Sequence, residues 1–140
     1  MPSASDLLGD RRRVLVTGGA GFIGGAVVRR LLRETTVTVF NLDKLGYASD
    51  LSSIEEVLSE LGGAANDRHR LQQVDLTDAA AVEAAVREAD PDLVMHLAAE
   101  SHVDRSISGP GVFIESNING TYNLLQAVRG HYEGLSGERR

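Results

Sequence analysis

With 140 residues, 42% of them hydrophobic and 24% charged, the chain suits one globular domain and is too short for a two-domain enzyme. Its net charge of −6 lacks the basic footprint of a nucleic-acid binder, so no nucleic-acid partner is expected. The absence of cysteine excludes disulfides, thiolate metal sites and cysteine nucleophiles, and the scattered histidines predict no metal site.

The first ten residues, MPSASDLLGD, contain no apolar core of a secretory signal, and no apolar run approaches a membrane span. A soluble, cytoplasmic chain without membrane partners is therefore expected. Arg11, Arg12 and Arg13 form the only basic run and read as a solvated leader ahead of the first strand. Residues 13–17, RVLVT, predict a buried strand closed by glycines. Residues 22–33 then place Phe22, Ile23, Ala26, Val27, Leu31 and Leu32 on a helical stripe. TVTVFNL, 36–42, is a β-branched second strand. Residues 51–61 predict a short helix with Leu51, Ile54, Val57, Leu58 and Leu61 on one side.

RLQQV, 70–74, reads as a weaker third strand, and a helix follows to Ala89 with Asp78 placed to cap it. Pro91 separates that helix from DLVMHLAA, the fourth strand. A long helix from about Gly111 to His131 carries Phe113, Ile114, Ile118, Leu124, Leu125 and Val128. Strand and helix alternate with short connections, which predicts an α/β fold with a parallel sheet. Strand order 3-2-1-4 makes it the first part of a Rossmann-type doubly wound sheet.

VLVTGGAGFIGG joins the first strand to the first long helix, where a dinucleotide fingerprint belongs. Its glycines fit two registers, Gly19, Gly21, Gly24 and Gly18, Gly21, Gly24. Either lets the backbone turn tightly, approach a pyrophosphate and pack helix on strand. The helix N-terminus would offer free amides to the phosphates. Asp43 ends the second strand nineteen positions after Gly24, where its carboxylate can accept both adenosine ribose hydroxyls. It would repel a 2′-phosphate, so NAD is expected rather than NADP, although Lys44 beside it points the other way. Asp75, just past the third strand, is placed to accept the adenine amino group, or simply to open a turn.

The fourth strand runs into LAAESHVDRS, 97–106, whose end lies at the switch point where ligands bind in open α/β sheets. Ala98 and Ala99 are small enough to let a dinucleotide pass. Glu100, Ser101 and His102 read as ligand contacts. Asp104 and Arg105 could equally pair with each other or brace the loop.

Taken in order and spacing, TGGAGFIG, DKLGYA, MHLAAESHVDRSI and FIESNINGTYNLLQAVR resemble the dTDP-glucose 4,6-dehydratases of the extended short-chain dehydrogenase/reductase family. The resemblance runs from about Arg13 to Tyr132. It implies an N-terminal Rossmann domain that binds NAD and a smaller C-terminal domain that binds a dTDP-sugar, in a homodimeric enzyme. Position by position, it implies that Gly18, Gly21 and Gly24, with Phe22 and Ile23, form the pyrophosphate turn. Asp43, Lys44, Leu45 and Gly46 would surround the adenosine ribose, and Asp75 and Leu76 the adenine. Leu97, Ala98, Ala99, Glu100 and Ser101 would line the nicotinamide half, with Ser116 also on the cofactor. Ser101 and His102 would meet the substrate. Two departures stand out: Gly46 replaces the usual Thr, and Ser49 and Asp50 replace the usual Gly-Asn.

In such enzymes a Tyr-x-x-x-Lys pair supplies the base, and an Asp-Glu pair helps remove water. Lys44 is the only lysine here, and no tyrosine stands four positions before it. No catalytic residue is therefore expected in these residues. The chain reads as the N-terminal part of the cofactor domain, cut after the fourth strand and its helix, with the substrate domain absent. Three alternatives stay open: part of another nucleotide-sugar epimerase or dehydratase, a non-catalytic NAD-binding module, and a flavodoxin-like fold without affinity for NAD.

Overall fold

Val14, Leu15 and Val16 of β1 (Arg13–Thr17) are fully buried on both faces of the strand, the mark of a parallel strand covered on two sides. The computed structural model describes residues 1–101 and 103–140. Around β1 it arranges β2 (Thr38–Asp43), β3 (His69–Gln73) and β4 (Leu93–His96) in one parallel sheet of order β3-β2-β1-β4. Thr17 pairs with Leu42 on one side and His96 on the other, so β2, β1 and β4 end at about one level.

One face of the sheet is covered by α1 (Ala4–Leu8), α2 (Phe22–Glu34) and α3 (Ser52–Leu61), through Leu8, Val28, Leu31, Leu32, Ile54 and Val57. The short α4 (Gly63–Asn66) leads into β3. On the other face, Val82, Ala85, Val86 and Ala89 of α5 (Ala79–Ala89) and Leu124 of α8 (Gly120–Gly134) pack on Leu15, Phe40 and Leu42. Asp78 caps α5 by accepting the Ala81 N–H. Strand order reverses at β1, with β2 and β3 laid down on one side and β4 on the other, which makes the strand ends between β1 and β4 a switch point.

Several expectations are corrected. Arg13 is not part of a solvated leader. It opens β1, lays its guanidinium 4.7 Å over the Phe40 ring and donates to the Ala89 carbonyl. The helical stripe of α2 is rotated: Phe22 and Ile23 are 95% and 66% exposed and Ala26 is exposed, while Gly24, Gly25, Val28, Leu31 and Leu32 face inward. The cause is Gly24, where a Cβ would collide with the Gly18 carbonyl oxygen, so the helix presses its glycine side to the turn. Leu61, at the end of α3, is exposed. β2 and β3 are shifted by one or two residues from their expected bounds, and β4 stops at His96.

The long helix is interrupted. α6 (Val103–Ser108) stands apart, then α7 (Pro110–Ile114) passes through a π-turn (Glu115–Asn119) into α8. Ile114, Ile118 and Leu125 are exposed, and Leu124 carries the packing. Among the described residues, no helix is long and apolar enough to cross a membrane.

Candidate functional site

At the switch point lies a cavity of about 440 Å³. Its walls are the glycine turn (Gly18, Gly21, Phe22, Ile23, Gly24), the β2 end (Asp43, Lys44, Gly46), the β3 end (Asp75, Leu76), residues 97–101 and Ser116. Every residue assigned to a cofactor from the sequence thus lines one space, except Leu45. The structure adds Leu42, Tyr47, Ala48, Ser49 and Val74 to the walls. His102 lies outside the described residues. A groove of about 500 Å³ between α5 and α8 is slightly larger, but it lies away from the strand ends and the glycine turn. Size therefore does not decide between them; the chemistry of the walls does.

The turn is built around Gly18, whose φ of 73° is left-handed and whose Cβ would fall 2.7 Å from the Ala98 backbone. This puts the tight bend at Gly18, the first glycine of the register Gly18, Gly21, Gly24, while a Cβ at Gly19 would collide with the Asn41 side chain. Gly21 is the N-cap of α2 and offers no side-chain cap, so the first amides of the helix have no side-chain partner. With Phe22 and Ile23 turned out, that end suits a phosphate.

Asp43 is only 8% exposed. Its Oδ2 accepts the Ala20 N–H at 3.0 Å, and its Oδ1 accepts the Leu45 N–H at 2.7 Å and the Ser49 hydroxyl at 3.1 Å. Leu45 does not reach the cavity; its backbone, at a left-handed φ of 58°, serves Asp43 instead. Asp75 does open a turn, accepting the Thr77 N–H and hydroxyl through Oδ1. The Thr77 N–H above all holds its carboxyl below the usual range. Because it also lines the cavity, the two readings of Asp75 are compatible.

The β4 side is held by a chain of hydrogen bonds. Thr17 Oγ1 accepts the N–H groups of Leu97 and Ala98 at 3.1 Å each and lies 2.6 Å from His96 Nδ1. With both its lone pairs taken, the Thr17 hydroxyl donates to Nδ1, and the ring proton sits on Nε2. Nε2 then donates to Thr121 Oγ1 at 3.0 Å, whose own hydroxyl donates to the Asn117 carbonyl at 2.8 Å. Burial lowers the pKa of His96, in keeping with this neutral form.

Asn117, on the π-turn, was not singled out from the sequence. Its Oδ1 accepts the Glu100 N–H at 2.8 Å and its Nδ2 donates to the Glu100 carbonyl at 3.0 Å. The signal was present: two asparagines in SNING interrupt a long helical stretch, where asparagine competes with the helix backbone. Across the mouth, Lys44 Nζ donates to Glu100 Oε1 at 2.9 Å and the Tyr47 hydroxyl to Oε2 at 3.3 Å. Arg105 lies 3.5 Å over the Tyr47 ring, so it braces the loops. Among the described residues, no group of three or more His, Cys, Asp or Glu is placed to hold a metal ion.

Residues 15–138 match the family model described as GDP-mannose 4,6 dehydratase. The dTDP-glucose 4,6-dehydratase of Neisseria meningitidis serogroup B is 51% identical over 91% of this chain and 34% of its own length. That of Shigella flexneri is 48% identical with the same coverage. The chain thus spans about a third of the length of these curated relatives (34%). Among solved structures, a Streptomyces venezuelae dTDP-glucose 4,6-dehydratase with NAD and TYD bound gives a TM-score of 0.71 at 41% identity, over 85% of this chain and 36% of that one. A Thermus thermophilus UDP-glucose 4-epimerase in complex with NAD gives 0.68 at 38%, over 85% and 34%.

Proposed function

Because the chain belongs to the GDP-mannose 4,6 dehydratase family, we propose that it holds NAD as the N-terminal part of a nucleotide-sugar dehydratase acting on dTDP-glucose. The observation that carries this reading is the single cavity joining the amide-rich start of α2, the Asp43 carboxylate and the end of β4. Such a cavity suits an elongated dinucleotide, its pyrophosphate at the helix start and its ribose at the carboxylate, better than a compact ligand. The α2 amides would hold the pyrophosphate, Asp43 the adenosine ribose and Asp75 the adenine amino group. Ala98 and Ala99 leave room for the dinucleotide backbone, and Ser101 faces the side where a sugar would enter. The chemistry a bound NAD supplies is reversible hydride acceptance, which lets the sugar be oxidised at C4, lose water across C5 and C6, and be reduced at C6.

These residues bind and orient; they do not supply the base. Phe40 stands four positions before Lys44, so no tyrosine–lysine pair exists here. We assign proton transfer and water loss, yielding a 4-keto-6-deoxy sugar, to the further length of the relatives, along with most of the dTDP-sugar contacts. For the whole enzyme we propose a homodimer, since Ile118, Tyr122 and Leu125 stand 61–63% exposed along one helical stretch.

Equilibrium dialysis of the 140-residue chain tests the reading. NAD should be retained, and incubation with NAD and dTDP-glucose should give no keto sugar. Failure to retain NAD overturns the cofactor assignment. Product formation overturns the placement of catalysis outside these residues.

A further inference from the structure

A lysine immediately after the ribose carboxylate is at odds with a site meant to refuse a 2′-phosphate. Its ammonium, on a flexible four-carbon stem, is the counter-charge such a phosphate would seek. Lys44 is the only lysine of the chain, and its neighbour Asp43 shares the same cavity wall. Yet the ammonium is engaged elsewhere, 2.9 Å from Glu100 Oε1.

Three features make that engagement specific. The Glu100 side chain is only 10% exposed, and a carboxylate so placed needs a partner of opposite charge. Its backbone is gripped at both N–H and carbonyl by Asn117, which fixes the point from which the carboxylate reaches Lys44. Lastly, a Cβ at Gly46 would sit 3.3 Å from Lys44 Cε, so the stem crosses the open space over this glycine to reach Glu100.

We infer that Glu100 is a specificity-determining residue: by occupying Lys44, it keeps a cation away from the ribose corner and makes the cavity refuse a dinucleotide bearing a 2′-phosphate. The inference rests on the reading of this cavity as a dinucleotide site. Asp43, Asp75 and Glu100 place three carboxylates on its walls against Lys44, so a 2′-phosphate beside Asp43, away from the α2 amides, meets net negative charge. Removing the Glu100 charge lessens that repulsion and frees the ammonium together.

The test titrates the 140-residue chain and its variants with NAD and NADP and reads the ratio of the two affinities. Glu100→Gln should shift the ratio about tenfold toward NADP, the worth of one charge-assisted hydrogen bond. Gly46→Val, which fills the lysine's path without touching Glu100, should shift it the same way. Lys44→Met combined with Glu100→Gln should return it to the starting value. Isotope-labelled lysine gives a single side-chain ammonium signal, which should move on adding NADP only after Glu100 is changed. An unchanged ratio in both single variants, with NAD still bound, overturns the role of Glu100 and leaves the NAD reading intact. Should the unmodified chain retain neither dinucleotide, the cofactor reading fails and takes this inference with it.

Discussion

Asp43 sits at the carboxyl end of β2 with Ala20, Leu45 and Ser49 all donating to it. A carboxylate offers about four acceptor sites, so three are filled. One ribose hydroxyl can be accepted as the residue stands; a second needs the Ser49 hydroxyl to turn away. The left-handed Leu45, which ordinarily costs about 1–2 kcal/mol, is held by its N–H bond to this same side chain. Asp43→Ala should therefore do two things. NAD affinity should fall by about 1.5–3 kcal/mol, the worth of hydrogen bonds to a charged group. Stability should fall by roughly 1–3 kcal/mol, because the buried Ala20 N–H loses its partner. Titration and denaturant melts of the same sample separate the effects. NAD curves that superpose on those of the unmodified chain would end the ribose assignment.

Between elements, the π-turn is the piece that ties α8 to the cavity. Residues 115–119 widen the helix by one residue, which brings Ser116 to the cavity wall and Asn117 onto the Glu100 backbone. The Thr17, His96 and Thr121 chain supports the same segment from the sheet side. Asn117→Ala removes both bonds to Glu100 and leaves its backbone groups to water. Amide exchange at residues 98–101 should quicken while the β1 and β2 amides keep their protection. Asn117→Asp, which can still accept the Glu100 N–H but cannot donate to its carbonyl, should fall between. Unaltered exchange in the alanine variant would show that the clamp does not order this segment.

For the molecule as a whole, two partly buried histidines set an acid limit. Burial pushes His69 and His96 below the ordinary histidine value, and each accepts a hydrogen bond on one ring nitrogen: His69 from Asn41 and His96 from Thr17. In the unfolded chain both would protonate near pH ~6.5. The unfolded state therefore binds more protons below that value, so stability is full above it and declines as pH falls toward the lower folded values. This window lies above the one in which lowered carboxyls such as Asp75 and Asp90 lose their contribution. Urea unfolding should show a lower midpoint at pH ~5.5 than at pH ~7.5. His69→Gln with His96→Gln should flatten the difference. A midpoint constant across that interval would remove both histidines from the account.

The sequence alone determined the strand and helix alternation, the order of the sheet, the glycine turn with Asp43 behind it, and the polar segment after β4. These are legible because period, turn chemistry and residue type act over a few neighbouring positions. Only the tertiary structure decided which face of α2 is buried, because its phase depends on Gly24 meeting Gly18 across the turn. The same holds for Arg13, whose place over Phe40 no local pattern encodes. It also decided that Lys44 is spent on Glu100, 56 positions away, and that Thr17 and His96, 79 apart, fix one tautomer. Such pairs have no local signature: the side chains meet only because neighbouring parallel strands end at one level and bring distant loops to a common rim.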